Sequence, residues 1–364
     1  MMSLIPVSAP LRRALLLEQE LTEAFRAVLK KGNYILGEEV DDFEKEYARF
    51  TNRKHCIAVA NGTDALILSL KALDIGEGDE VITTAHSAVA TAASICLAGA
   101  TPIFGDIEPL YRCICPSEIK KLITNRTKAI IPVHIYGHPA NMTEILKIAI
   151  EYNLHIIEDC AQAHGATWAN KQVGSFGKLA AFSFYPTKNL GTLGDGGAIV
   201  TDDSDLAERL KSLRQYGWKT RYISSETGMN SRLDEVHAAM LRIFLKKLNQ
   251  DNLKRRSIAQ AYNQSLSNQN KIINPAEHNE AQSVYHLYVI ETDQPNQLAQ
   301  YLLESGIATA RHYPLPIHQQ PAYSQKKIIL PNTEKLYSRM LTIPMFPELT
   351  EHEIDLICQA LINY

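Results

Sequence analysis

Lys188 stands in the segment Ser183-Phe184-Tyr185-Pro186-Thr187-Lys188-Asn189-Leu190-Gly191, just after an apolar run, and Gly194-Asp195-Gly196-Gly197 follows. A lysine in a turn bounded by proline and glycine behind a buried strand is held in place and kept short of water. Desolvation lowers its pKa and makes its amine a usable nucleophile. Taken alone, the same residue also reads as a solvated surface lysine, the usual state of that side chain. Upstream, Glu158-Asp159-Cys160-Ala161-Gln162-Ala163-His164-Gly165 closes another apolar run. Two adjacent carboxylates at the end of a buried strand are costly unless each has a partner, and a cationic ring nitrogen would serve one of them. A helix cap or a metal ligand is the alternative, which His134, His138 and His164 keep open. Against a metal, His134 and His138 flank Tyr136-Gly137 and Pro139 and do not share a helix face. A third segment, Asn61-Gly62-Thr63, lies between an apolar strand and an apolar helix. Free N–H groups at a helix N-terminus, with a glycine allowing close approach, make a phosphate cradle. The same tripeptide also fits an ordinary cap and turn.

These segments need a scaffold, and the flanking pattern supplies one. Apolar runs at 55–60, 80–84, 101–104, 128–133, 155–159, 179–184 and 197–201 read as strands, with helical patterns at 65–73, 88–98 and 142–152 between them. Alternating strands and helices imply an α/β domain with a mainly parallel sheet, whose strands are apolar throughout because helices cover both faces. In such sheets ligands bind at the carboxyl ends of the strands, where all three segments fall. Two helices precede the sheet, one over 15–31, with Leu17, Leu21, Phe25, Val28 and Leu29 on one face, and one over 39–50. A long helix is expected over Asp234–Asn252. Beyond about 254 the texture turns Asn/Gln-rich, with a strand at Tyr285–Glu291. The expected division is a large domain over 1–250 and a smaller C-terminal α+β domain over 251–364.

The 364 residues, 45% hydrophobic, suffice for one large and one smaller core, and a net charge of −3 gives no general attraction for nucleic acid or an anionic membrane. The six cysteines are scattered and read as reduced thiols rather than a disulfide scaffold. The start of the chain does not read as a signal peptide and no window approaches a membrane span, so a cytoplasmic protein is expected. A nicotinamide enzyme would need a G-x-G-x-x-G fingerprint after the first strand, and Asn61-Gly62-Thr63 does not supply one.

In order and content these segments resemble the DegT family of fold-type I, pyridoxal-phosphate-dependent sugar-nucleotide aminotransferases. The pair Glu-Asp-Cys-Ala-Gln-Ala-His-Gly and Ser-Phe-Tyr-Pro-Thr-Lys-Asn-Leu-Gly is the specific signal, and the similarity runs from Gly37 to about Tyr323. The resemblance implies that Lys188 is the Schiff-base lysine and that Asp159 pairs with the pyridine nitrogen, keeping the ring an electron sink. Gln162 would reach the ring's phenolic oxygen, Gly62, Thr63 and Ser183 the phosphate, and His86 would lay a flat ring over the pyridine face. Asn230, in Met229-Asn230-Ser231-Arg232-Leu233-Asp234, would reach the phosphate of a second copy, making the active unit a homodimer. Asp64 has no assigned role. The cofactor would cycle through pyridoxamine phosphate, with L-glutamate as donor and a nucleotide-linked ketosugar as acceptor. The stretch from Arg214 to Tyr222 resembles relatives that aminate C3 of dTDP-3-keto-6-deoxyhexoses; amination at C4 of a 4-keto sugar is the alternative. Tyr185, Trp218, Lys219, Arg221, Tyr222, His312 and Tyr313 are the expected substrate contacts, the aromatic rings stacking and the cations meeting the diphosphate. A non-catalytic regulator on the same scaffold could dispense with Lys188 and Asp159, yet both are present.

Overall fold

The computed structural model describes residues 4–324 and 328–364. Residues 1–3, on which the reading of the chain's start partly rests, lie outside it. Seven strands form the central sheet: β1 (His55–Val59), β2 (Glu80–Thr84), β3 (Thr101–Gly105), β4 (Thr127–Ile130), β5 (His155–Asp159), β6 (Leu179–Ser183) and β7 (Gly197–Thr201). They lie in the order β1-β7-β6-β5-β4-β2-β3. All neighbours run parallel except β7, which is antiparallel to both β1 and β6.

Alternate residues of each strand serve opposite faces. Ile57 and Val59 pack into one core with Leu66, Leu68 and Leu70 of the Gly62–Ala72 helix, while Cys56 and Ala58 join a second with Val40, Phe43 and Tyr47 of the Glu38–Phe50 helix. Both faces are covered, so β2 and β7 are buried at every position. Each fully buried side chain such as Leu68 or Phe182 contributes about 1.5–3 kcal/mol.

The N-terminal helical stretch is split at Leu17 into Pro10–Leu16 and Glu18–Lys31. Gly32 ends it in a left-handed conformation, φ 71°. Of the expected apolar face only Leu21 and Val28 are buried, and Phe25 and Leu29 stay exposed. The long helix is a single element, Glu235–Leu266, which passes beyond Asn252 by burying Ile258, Ala259, Tyr262 and Leu266 on one side. These side chains meet an antiparallel sheet of Ile272–Ile273, Tyr288–Thr292 and Met340–Ile343, backed by the Pro295–Glu304 and Glu351–Asn363 helices. Ile5, from the other end of the chain, pairs with Ile307 and completes that core. Among the described residues, no helix is long and apolar enough to cross a membrane.

Candidate active site

β5 delivers Glu158 and Asp159 side by side, and the pleat sends them to different tasks. Glu158, fully buried, accepts hydrogen bonds from the N–H groups of Gly174 (2.7 Å), Phe176 (2.8 Å) and Gly177 (2.7 Å). Its fourth partner is His134 Nε2 at 3.1 Å. His134 Nδ1 accepts from Ala140 N–H (3.0 Å), so the ring proton sits on Nε2 and is donated to Glu158. Burial alone would raise the Glu158 pKa, but His134 and the backbone donors outweigh it and the net direction is down. Ligand atoms of His134, Glu158 and Cys160 lie within 4.8 Å of one another, but the histidine and the glutamate are bonded to each other and both histidine nitrogens are engaged.

Asp159 faces the other way, into a cavity of about 230 Å³ at the carboxyl ends of the strands. Its Oδ2 accepts from Thr91 Oγ1 (2.8 Å), which is itself 2.8 Å from Ser87 Oγ, and its Oδ1 accepts from Ala161 N–H (3.2 Å). Burial pushes its pKa above the usual carboxylate value, against the pull of Thr91, Ala161 and Lys188. Thr91 and Ser87 escape the sequence reading, because the small-residue helix at 88–98 gives no hint that a strand far along the chain needs its hydroxyl.

Lys188 enters the same cavity from the turn after β6. The turn is closed by Lys188 N–H to Tyr185 O (2.8 Å) and Thr192 N–H to Phe184 O (2.8 Å). The residue is half-buried, but the surroundings of its amine are dry enough to push the pKa down to about 8, with Asp159 pulling the other way.

Opposite lies the start of the Gly62–Ala72 helix. Asn61 caps it, its Oδ1 accepting from Asp64 N–H at 2.8 Å. Gly62 and Thr63, whose first-turn N–H groups have no acceptor within the helix, line the cavity with Ser183. A Cβ on Gly62 would come within 2.7 Å of Ser183 Cβ, and one on Gly197 within 2.4 Å of the Asn61 carbonyl carbon, so both glycines are set by close approach. Asp64 now has a partner: its Oδ2 accepts from Ser231 Oγ (2.6 Å), which ties the helix start to the segment after Asn230.

Gln162 also lines the cavity. Its Oε1 accepts from Tyr136 N–H (2.7 Å) and its Nε2 donates to Tyr313 OH (3.1 Å), a phenol pushed up to about 12 by burial. Of the residues expected from sequence, the cavity thus brings together Gly62, Thr63, Asp159, Gln162, Ser183, Tyr185 and Lys188, with Tyr313 one hydrogen bond behind.

The other expected positions fall elsewhere. His86 does not lay its ring over the cavity. Its backbone N–H is held by Thr84 Oγ1 at 3.0 Å, and the side chain turns inward, edge-on to Tyr136 and Tyr337 (both 5.3 Å), while Ser87 and Ala88 take the wall. Neither ring nitrogen has a partner, and burial pushes its pKa down to about 3. His312 does not line the cavity; its Nδ1 lies 3.0 Å from Thr342 Oγ1. Asn230 is exposed, with its backbone bridged to Gln215. Trp218, Lys219, Arg221 and Tyr222 form a hairpin of Trp218–Thr220 with Ile223–Ser224. Trp218 packs on Tyr216 (5.4 Å) and Tyr222 (5.2 Å), and the Arg221 guanidinium lies 5.0 Å over the Tyr222 ring. Trp218 and Lys219 border a separate surface hollow with Arg209 and Glu226. A wider groove at the opposite end of the sheet has its cations already paired, Arg53 with Asp202 and Lys178 with Asp203, both at 2.7 Å.

An amine of lowered pKa, a buried carboxylate and a helix N-terminus with open donors share one cavity. That set matches the aldehyde, the basic ring nitrogen and the phosphate of pyridoxal phosphate. Comparison with known proteins agrees. Residues 16–362 match the model of the DegT/DnrJ/EryC1/StrS aminotransferase family. The chain is 45% identical over 348 residues to dTDP-3-amino-3,6-dideoxy-alpha-D-galactopyranose transaminase of Aneurinibacillus thermoaerophilus, covering 95% of this chain and 96% of that one. It superposes on DesV of S. venezuelae with a TM-score of 0.97 at 39% identity, over 100% of this chain and 98% of the other. NtdA of Bacillus subtilis, solved with bound cofactor PMP, matches with a TM-score of 0.89 at 31% identity, over 95% and 81% of the two chains. The chain belongs to the DegT/DnrJ/EryC1/StrS family and is a pyridoxal-phosphate-dependent aminotransferase.

Proposed function

We propose that the enzyme moves an amino group from L-glutamate to C3 of a dTDP-3-keto-6-deoxyhexose, giving a dTDP-3-amino-3,6-dideoxyhexose and 2-oxoglutarate. The observation that carries the chemistry is the Lys188 amine, pushed down to about 8, in one cavity with Asp159. The position of amination is supported by the name of the relative that is 45% identical over nearly the whole chain. The basic, aromatic Trp218–Tyr222 hairpin, with Tyr222 72% exposed, adds a surface suited to a base and a diphosphate.

Pyridoxal phosphate, when bound, supplies an aldehyde for amine exchange and a ring that withdraws electrons from the substrate carbon. In this reading Lys188 would hold the aldehyde carbon. The Lys188 amine, its pKa pushed down to about 8, would hold and move the proton at the donor's α-carbon. Asp159, fixed by Thr91 and Ala161, would keep the ring nitrogen protonated, and Gln162 would orient the ring through its phenolic oxygen. Gly62, Thr63 and Ser183 hold the phosphate. Asn230 and the hairpin, which do not line their own cavity, would act on that of a second copy, making the working unit a homodimer.

The test is incubation with pyridoxal phosphate, L-glutamate and, separately, the dTDP-linked 3-keto and 4-keto 6-deoxyhexoses, read by mass spectrometry. An aminosugar from the 3-keto isomer alone is expected. A product from the 4-keto isomer alone would keep Lys188 and discard the role given to the hairpin.

A further inference from the structure

Asn189, the residue after Lys188, is 1% exposed, and its anchoring reaches far along the chain. Its Nδ2 donates to Asn252 Oδ1 (2.9 Å), on the long helix, and to the carbonyl of Val284 (3.0 Å). Its Oδ1 lies 3.2 Å from Nδ1 of His286. An amide oxygen only accepts, so His286 carries its proton on Nδ1 and donates it. The backbone carbonyl of Asn189 accepts from Arg13 Nη1 at 2.9 Å, and Arg13 is seated over the Phe244 ring and 3.1 Å from Asp251. Asn252 is in turn fixed by donating to the carbonyl of His164 (2.8 Å), in the segment that carries Asp159 and Gln162.

Segments at 13, 164, 252 and 284–286 therefore converge on the residue next to the reacting lysine. Both amide N–H groups and the amide oxygen of Asn189 are satisfied, by the long helix and by the 284–286 segment. On the other side, among the described residues, Lys188 itself is tied only by its N–H to Tyr185 O. The height of its amine in the cavity is thus set largely from the Asn189 side.

We propose that Asn189 is a positioning residue for the amino transfer: its anchoring to Arg13, Asn252, Val284 and His286 fixes where the Lys188 amine stands relative to Asp159. The claim rests on Lys188 being the reacting amine. A misplacement of about 1 Å costs on the order of 100-fold in rate, so looseness here falls on the proton transfer rather than on substrate binding. The titratable groups around the Lys188 amine are Asp159, His164, His286 and His312, and the histidines are held neutral by burial and by the amine itself. Loosening the turn lets water reach the amine, so its pKa rises toward that of an ordinary lysine.

The experiment measures the Lys188 pKa in the full chain stripped of cofactor, by competitive trace acetylation across pH with mass-spectrometric readout of the Lys188 peptide. It is run on Asn189→Ala, His286→Phe and Tyr262→Phe. The last loses a buried hydrogen bond to Pro344 O in the small C-terminal core and controls for simple destabilisation. Asn189→Ala and His286→Phe are expected to raise the Lys188 pKa by about one pH unit. In the holoenzyme they should lower kcat about 10- to 100-fold with KM changed less than about threefold. Tyr262→Phe should lower Tm and leave the Lys188 pKa in place. An unchanged Lys188 pKa in folded Asn189→Ala, or in His286→Phe if the first variant does not fold, overturns the proposal; so does an equal shift in Tyr262→Phe. Lys188→Ala separates the two claims: retained turnover there would remove Lys188 as the reacting amine, whatever Asn189 does to its pKa.

Discussion

Replacing Thr91 by valine keeps the shape of the side chain and removes one hydroxyl, the donor to Asp159 Oδ2 at 2.8 Å. Ser87 stands behind that hydroxyl at 2.8 Å, so the bond is one link of a short chain whose members strengthen one another. A hydrogen bond to a charged group contributes about 1.5–3 kcal/mol. Losing it from a carboxylate already pushed upward by burial raises the Asp159 pKa by about one to two further pH units. Asp159 works ionised, so the acid limb of the pH–rate profile moves to higher pH by the same amount. On the acid side of that limb kcat/KM for glutamate falls about 10- to 150-fold, and on the plateau above it the two rates converge. The assay follows 2-oxoglutarate release in single turnovers across pH, with circular dichroism and Tm reported for each sample. A valine variant with an unshifted acid limb and a rate within threefold of the parent would refute the claim that Thr91 sets the state of Asp159.

Lys188→Ala is expected to abolish turnover while the variant still binds pyridoxal phosphate through the remaining cradle, read by absorbance titration and product analysis. Gly62→Ala places a methyl within 2.7 Å of Ser183 Cβ, so about 1–3 kcal/mol of stability is lost and pyridoxal phosphate affinity falls, both measured by denaturant titration with and without cofactor. His86→Phe removes two unpartnered ring nitrogens and should leave activity within about threefold. The folded pKa of His86, about 3, lies below the unfolded value, so its burial costs stability as pH falls below about 6.5; the cost is about 2 kcal/mol at pH 5, and the variant's urea midpoint should exceed the parent's by more at that pH than at neutral pH. Trp218→Ala is expected to raise KM for the sugar nucleotide about tenfold or more and to spare 2-oxoglutarate formation from glutamate, read by steady-state kinetics on each substrate.

The strands and the segments at their carboxyl ends were readable because an α/β sheet covered on both faces writes itself as unbroken apolar runs, and polar residues at their ends stand out. Lys188, Asp159 and Gly62 are legible on that ground. His86 does not line the cavity, where Ser87 and Ala88 stand, and strand alternation gives no guide there because β2 ends at Thr84. The partners of Glu158 are backbone N–H groups at 174–177, which no side-chain pattern announces. The long helix outran its expected end at Asn252 because Asn/Gln-rich composition on its exposed side masked the buried stripe of Ile258, Tyr262 and Leu266. The antiparallel course of β7 is likewise silent in an apolar run, which carries no direction.

Glu158 and Asp159 are neighbours with separate liabilities. Glu158 has four donors aimed at one carboxylate, and even glutamine would turn an NH₂ group toward some of them. Asp159 has its charge buried at a cost that, in the proposed mechanism, the cofactor's ring would offset once bound. A library sorted for soluble expression alone should therefore fix position 158 and let 159 drift toward neutral residues, while one sorted for turnover fixes both. Sequences recovered from the first sort and missing from the second would mark, from survival data alone, which acid serves the scaffold and which serves the reaction.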